Sequence, residues 1–321
     1  MLFLDGLPDD IFDGAMRCRI CSWRQAPSSC SVSVHAVVRI MVCFVLTACG
    51  HSGVRSEALE VASQRRVIDI PVEPRDTDLL ELGRARTEVT ASLHSLRRCM
   101  PMRTARIYAL GSSTMASLLG PALKRIMKRE WPEASLSKWG KPSSGLARPD
   151  FHDWPRQIPK ILRRHKPDMF VVSLGTNDYQ AVRLRNGSWV RPGTARWKRV
   201  YASRVRKMLQ LMSGPSRSRA VIWVGPTSFP GEGSKTLGPL ITKILRREIR
   251  AFGGPAVLID AYGATTDDRN RPRDKFRIPG KRGWHQMRGH DGIHLTIGAV
   301  RALMARPVAD SVSHCRKGGV L

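Results

Sequence analysis

The sequence predicts an α/β fold, a three-layer α/β/α sandwich built on a parallel sheet of five strands. Two observations carry the prediction. From residue 106 onward, apolar runs of strand length alternate with longer stretches whose apolar residues recur at helical spacing. A hydrophobic fraction of 42% in 321 residues supplies enough apolar surface to cover a sheet on both faces.

Arg106, Ile107, Tyr108, Ala109 and Leu110 make the first strand, and Leu118, Leu119, Leu123, Ile126 and Met127 give residues 115–130 the period of a helix. A short strand at 136–139 and a helix at 155–165 come next. The alternation continues with strand 168–174, helix 195–212, strand 220–225, helix 237–252, strand 256–261 and helix 296–305. Strands separated by helices pair in parallel through right-handed crossovers, here in the flavodoxin-like manner, and such sheets hold their sites at the C-terminal ends of strands.

Ahead of this region the sequence has a different character. Met41, Val42, Cys43, Phe44, Val45 and Leu46 belong to an apolar run too short to span a bilayer, which ends in Thr47, Ala48 and Cys49. Leu46-Thr47-Ala48-Cys49-Gly50 resembles the lipobox of bacterial lipoproteins, and that resemblance implies export to the periplasm or cell envelope with a lipid anchor on Cys49. A buried strand or helix segment is the alternative. A leader of residues 1–49 is long for a signal, so translation starting at Met16 is expected. Residues 50–104, with Ile70-Pro71-Val72-Glu73-Pro74, read as a linker holding at most one short helix near 88–98. The folded domain is expected over 105–310, followed by a tail, 311–321.

The chain has 54 Lys and Arg against 26 Asp and Glu, a formal net charge of +28 that attracts polyanions. Acidic glycans and anionic membranes fit; the cations are spread along the whole chain, which argues against nucleic acid. Cys18 and Cys21 form a CxxC with no second pair, so no metal is expected there. Cys99 and Cys315 flank the predicted domain and could join its ends in an oxidising compartment.

Three polar clusters stand at strand-to-helix passages. Gly111-Ser112-Ser113-Thr114 places a serine at a helix N-terminus, where it is either a nucleophile or a cap. Gly175-Thr176-Asn177-Asp178 follows a strand and alone could be a turn. In Asp291-Gly292-Ile293-His294, a carboxylate three residues before an imidazole can hold its tautomer while the other ring nitrogen faces a serine. His152, His285 and His290 are alternative imidazoles, none with a carboxylate at the spacing of Asp291 and His294.

In this order the clusters resemble the blocks of the SGNH (GDSL-type) hydrolases, which run Gly-Asp-Ser, Gly, Gly-x-Asn-Asp and Asp-x-x-His. The stretch from Ser144-Gly145-Leu146 to Trp154-Pro155 is similar to the glycine block of an often exported branch of that superfamily, and Trp223-Val224-Gly225-Pro226 fits it too. The resemblance implies a serine esterase needing no cofactor or metal, with Ser113 as nucleophile, His294 as general base and Asp291 orienting His294. It implies an oxyanion hole of the Ser113 and Gly145 backbone N–H groups and the Asn177 side-chain amide. The family's aspartate is replaced here by Ser112, which leaves Ser112 and Ser113 as competing nucleophiles, with Ser113 favoured by position. Expected substrates bear an acyl ester, with O-acetyl groups on peptidoglycan or another envelope glycan suggested by the leader and the charge. An O-acyltransferase, or a noncatalytic basic module binding an anionic polymer, are the alternatives. Trp131, Trp139, Trp154, Trp189, Trp197 and Trp284 are candidates for sugar stacking or for core, and residues 265–289 for a flap or a surface insertion.

Overall fold

The computed structural model describes residues 99, 104–278 and 280–317. The leader 1–49 with Met16 and Cys49, the Cys18–Cys21 pair and the helix expected near 88–98 lie outside the described residues, as does nearly all of the linker.

Five strands form one parallel sheet: β1 (Arg106–Gly111), β2 (Ser135–Gly140), β3 (Met169–Ser173), β4 (Ala220–Val224) and β5 (Ala256–Ile259), in the order β2-β1-β3-β4-β5. That is the flavodoxin-like order, whose direction of winding reverses between β1 and β3, so a crevice opens at their C-terminal ends. Helices α1 (Gly120–Glu130), α2 (Trp154–His165), α3 (Ala195–Ser213), α4 (Glu232–Phe252) and α5 (Arg306–Arg316) cover the sheet. Alternation along β1 sends Tyr108 and Leu110 to one face, with Trp154, Ile158, Trp197 and Leu245 from α2, α3 and α4. Ile107 and Ala109 face the other core, shared with Leu123 and Met127 of α1 and Val308 and Val312 of α5. β3 is buried along its whole length, as a central parallel strand must be.

Local signals set the helix starts. The Asp153 side chain accepts the Arg156 N–H at 3.3 Å, and the Thr194 hydroxyl accepts the Trp197 N–H at 3.2 Å. Two ends differ from the sequence reading. Helix α4 begins at Glu232 rather than 237, carrying Gly238 and Pro239 inside it. A Cβ on Gly238 would stand 2.1 Å from the Tyr262 ring, so the close contact between α4 and the short helix Ala261–Ala264 requires glycine there. Helix α5 runs to Arg316, through most of the expected tail, because Val308, Val312 and Cys315 continue a buried stripe.

Cys99 and Cys315, both buried, form a disulfide between positions 216 apart in the sequence. Closing so long a loop removes much of the unfolded chain's freedom, so Cys315→Ser should cost ~2–5 kcal/mol. Urea unfolding followed with and without reductant would show the loss, and an unchanged midpoint would mean that the bridge adds nothing to stability. Among the described residues no helix is long and apolar enough to cross a membrane.

Candidate active site

The three polar clusters the sequence places at strand-to-helix passages lie at the C-terminal end of the sheet, after β1, β3 and β5. Ser113 lies two residues past β1, at the first helical position of a stretch whose π-helical segment, Met115–Leu119, leads into α1. Its Oγ lies 3.0 Å from His294 Nε2. His294 Nδ1 is 2.6 Å from Asp291 Oδ2, so three side chains from two ends of the domain form one chain of hydrogen bonds. Asp291 Oδ1 also accepts the N–H groups of Ile293 and His294, each at 2.9 Å, which folds the Asp-to-His turn tightly enough for the side chains to meet.

The direction of these bonds follows from the carboxylate. The His294 hydrogen bond first, and then the two backbone N–H groups, hold the Asp291 carboxyl at about 2, so it is ionised and can only accept. His294 Nδ1–H therefore donates to Asp291, which in the neutral ring leaves Nε2 as the acceptor facing the Ser113 hydroxyl. The pair is open to water, with 43% of the His294 side chain and 49% of the Asp291 side chain exposed.

Ser112 is placed differently. It is buried, its N–H donates to the Ser173 carbonyl of β3 at 3.2 Å, and its carbonyl accepts the Ala116 N–H. The serine bonded to the imidazole is Ser113. His152 is wedged against Trp139 and Trp154 at centroid distances of 5.1 and 4.4 Å; His285 packs beside Phe276, and His290 is exposed.

The Ser144–Ala147 loop is held from beneath by a carboxylate for which the sequence reading had no task. Asp178 is fully buried; it accepts the Ala147 N–H at 2.7 Å and the Tyr201 hydroxyl at 2.8 Å, and burial raises its pKa. Arg204 donates to the carbonyls of Leu146 and Ala147 and to that of Arg183. Gly145 sits so close to this arrangement that a Cβ would come within 2.1 Å of Asp178 Oδ1. Asn177 Nδ2 donates to the Ser144 carbonyl at 3.0 Å, which uses one of the two N–H groups of its amide. Arg204 and Tyr201 went unread because they sit in a helix rich in cations. Their signal was the spacing 201, 204, 205, 208, which puts an arginine at the margin of the buried stripe.

The described residues of 265–289 are braced against the rest of the domain. Arg288 donates to the Ser228 carbonyl and hydroxyl at 2.8 Å each and to the Arg273 carbonyl, and a small ladder pairs Lys275–Phe276 with His285–Gln286. Of the six tryptophans offered for stacking, Trp154 and Trp197 are core, whereas Trp189 and Trp284 are about half exposed.

Comparison with known proteins completes the picture. No curated protein matches the chain. Among solved structures it is similar to a psychrotrophic esterase from Pseudoalteromonas sp., at 13% identity and a TM-score of 0.41, over 65% of this chain and 97% of that one. It is also similar to a member of the lipolytic protein G-D-S-L family from Veillonella parvula, at 13% identity and a TM-score of 0.40, over 64% of this chain and 96% of that one. A family two carbohydrate esterase from Clostridium thermocellum is similar at 14% identity and a TM-score of 0.39, over 69% of this chain and 66% of that one. Residues 106–311 match the model of the family described as "Protein of unknown function (DUF459)", and the chain belongs to that SGNH-like family.

Proposed function

We propose that the protein is a serine esterase that removes an acyl group, in the first instance O-acetyl, from a polysaccharide of the cell envelope. The observation that carries the reading is the unbroken series Ser113 Oγ, His294 Nε2, His294 Nδ1, Asp291 Oδ2, with bonds of 3.0 and 2.6 Å. A noncatalytic module would have no use for this alignment, because a serine, an imidazole and an ionised carboxylate in series do one thing well: they raise the nucleophilicity of the hydroxyl.

In the proposed reaction Ser113 Oγ attacks the ester carbonyl as its proton passes to His294 Nε2. Asp291 stabilises the imidazolium by accepting from Nδ1–H. The carbonyl oxygen takes up the negative charge among the Ser113 N–H, the Gly145 N–H and the second N–H of the Asn177 amide. Collapse breaks the bond to the alcohol, which leaves with the proton from His294, and an acyl group stays on Ser113. Water, deprotonated by His294, releases the acid and restores the serine. Replacing that water by a sugar hydroxyl gives acyl transfer, and the half-exposed His294 leaves room for either acceptor.

Export with a lipid anchor on Cys49 fits the Cys99–Cys315 disulfide, since such bonds persist in oxidising compartments. The test is hydrolysis of a chromogenic acetyl ester together with the intact mass after exposure to a fluorophosphonate, for the full chain and for Ser113→Ala. One covalent label and turnover in the parent, both absent in the variant, are expected. A parent that takes neither label nor ester would remove the esterase reading.

A further inference from the structure

Five large hydrophobic residues are exposed among the described residues: Phe151, Trp189, Trp284, Ile293 and Ile297. Their distribution is one-sided. Phe151 lies between β2 and α2, Trp189 between β3 and α3, and Trp284 and Ile293 between β5 and the final helices, which Ile297 opens. All these connections leave the C-terminal ends of strands, the end that holds Ser113 and His294. The opposite end of the sheet carries no such residue among those described.

Each exposed ring has a cation laid against it. Arg148 and Arg183 stand 4.8 and 4.7 Å from the Trp189 centroid, Arg277 stands 4.9 Å from Trp284, and the Lys141 ammonium stands 5.4 Å from Phe151. Within two of the connections a stretch beside the ring is without acids, although Asp178 lies earlier in the first and Asp274 and Asp291 border the stretch in the second. Residues 181–194 hold three arginines, and residues 275–290 hold five cations; neither contains Asp or Glu. These segments are tied to the site's own loops. The Arg183 N–H donates to the Ala147 carbonyl in the loop of Gly145, and the Thr296 N–H, just past the His294 turn, donates to the Met287 carbonyl.

We infer that the rim of this site is a binding surface for an anionic polysaccharide, with Phe151, Trp189 and Trp284 as stacking platforms and Lys141, Arg183 and Arg277 beside them for acid groups. The apolar C–H face of a pyranose packs on an aromatic ring, and a neighbouring guanidinium or ammonium pairs with a carboxylate or phosphate on the same or next sugar. Bilayer insertion fits less well, because burying these rings in hydrocarbon would carry the cations stacked on them out of water. Single-stranded nucleic acid would use similar platforms, but it carries no acyl ester for a serine at their centre. In this choice of polymer the inference rests on the esterase reading.

The test uses the full chain and polygalacturonate as the anionic polymer, with dextran, a single-stranded oligonucleotide and phosphatidylglycerol vesicles as comparators. Binding is measured at low and high salt, beside hydrolysis of a small acetyl ester. Polygalacturonate should bind in a salt-sensitive way and more tightly than any comparator. The triple variant Phe151→Ala, Trp189→Ala, Trp284→Ala should bind it about tenfold more weakly or worse, with small-ester turnover unchanged. The milder pair Arg183→Gln, Arg277→Gln, which leaves every ring in place, should flatten the salt dependence. Equal binding of dextran, tighter binding of the oligonucleotide or vesicles, or undiminished binding by both variants would overturn the inference while leaving esterase activity standing. Loss of Ser113-dependent hydrolysis with polymer binding intact would instead overturn the chemistry.

Discussion

His294→Ala is expected to lower kcat for ester hydrolysis by ~10⁴-fold or more, since it removes the base from Ser113 and the acid from the leaving alcohol at once. KM should change little, because the imidazole acts on the proton rather than on the bound acyl group. Asp291→Asn should cost less, on the order of 10²–10⁴. Asp291 is held at about 2 chiefly by His294 itself, so it stays ionised as pH falls until well below the ordinary carboxylate range. Any fall in activity in mildly acidic solution therefore belongs to another group, and it should persist in a variant whose residue 291 cannot titrate. Steady-state rates of the two variants against pH check both statements. A His294→Ala enzyme within tenfold of the parent would show that the aligned imidazole is not the base.

Gly145→Ala should damage both the loop and the activity. The added Cβ would meet Asp178 Oδ1 at 2.1 Å, and Asp178 cannot retreat, being pinned by the Ala147 N–H at 2.7 Å and the Tyr201 hydroxyl at 2.8 Å. The loop must shift instead, taking the Gly145 N–H away from the developing oxyanion. A fall in kcat of ~10²–10³ is expected, the usual cost of one such donor, with ~1–3 kcal/mol of stability lost to overpacking. Tyr201→Phe separates the two effects: it removes one bond from Asp178 while leaving the loop room, so its cost should fall mainly on stability. Thermal melts and kcat for both variants decide the matter, and a fully active Gly145→Ala enzyme would take this N–H out of the oxyanion hole.

The sheet was legible because its signal is local. Residues 106–110 and 168–174 are apolar over the length of a strand, and each leads into a turn whose residue types suit nothing else nearby. The Asp291 to His294 spacing was legible for the same reason, since a three-residue turn brings the side chains together without help from the rest of the fold. What holds Gly145 was not legible. Asp178, Tyr201 and Arg204 meet the Ser144–Ala147 loop only once β3, α3 and the connection after β2 are packed together, and in the sequence each looks like an ordinary member of a turn or a cationic helix. The first turn of α4 was not legible because Glu232, Gly233, Ser234, Lys235 and Thr236 carry no apolar residue to show the period that begins at Leu237. The rim of exposed rings was hidden as well, because Trp189 and Trp154 read alike until burial separates them.

The link between Cys99 and Cys315 makes the α/β domain a closed covalent ring, and both Ser113 and His294 lie within it. A protease that cuts once in any surface connection, including the basic one between β5 and the final helices, converts that ring to an open chain without parting the two halves of the triad. A nicked molecule would travel as one piece on a non-reducing gel and keep Ser113 facing His294.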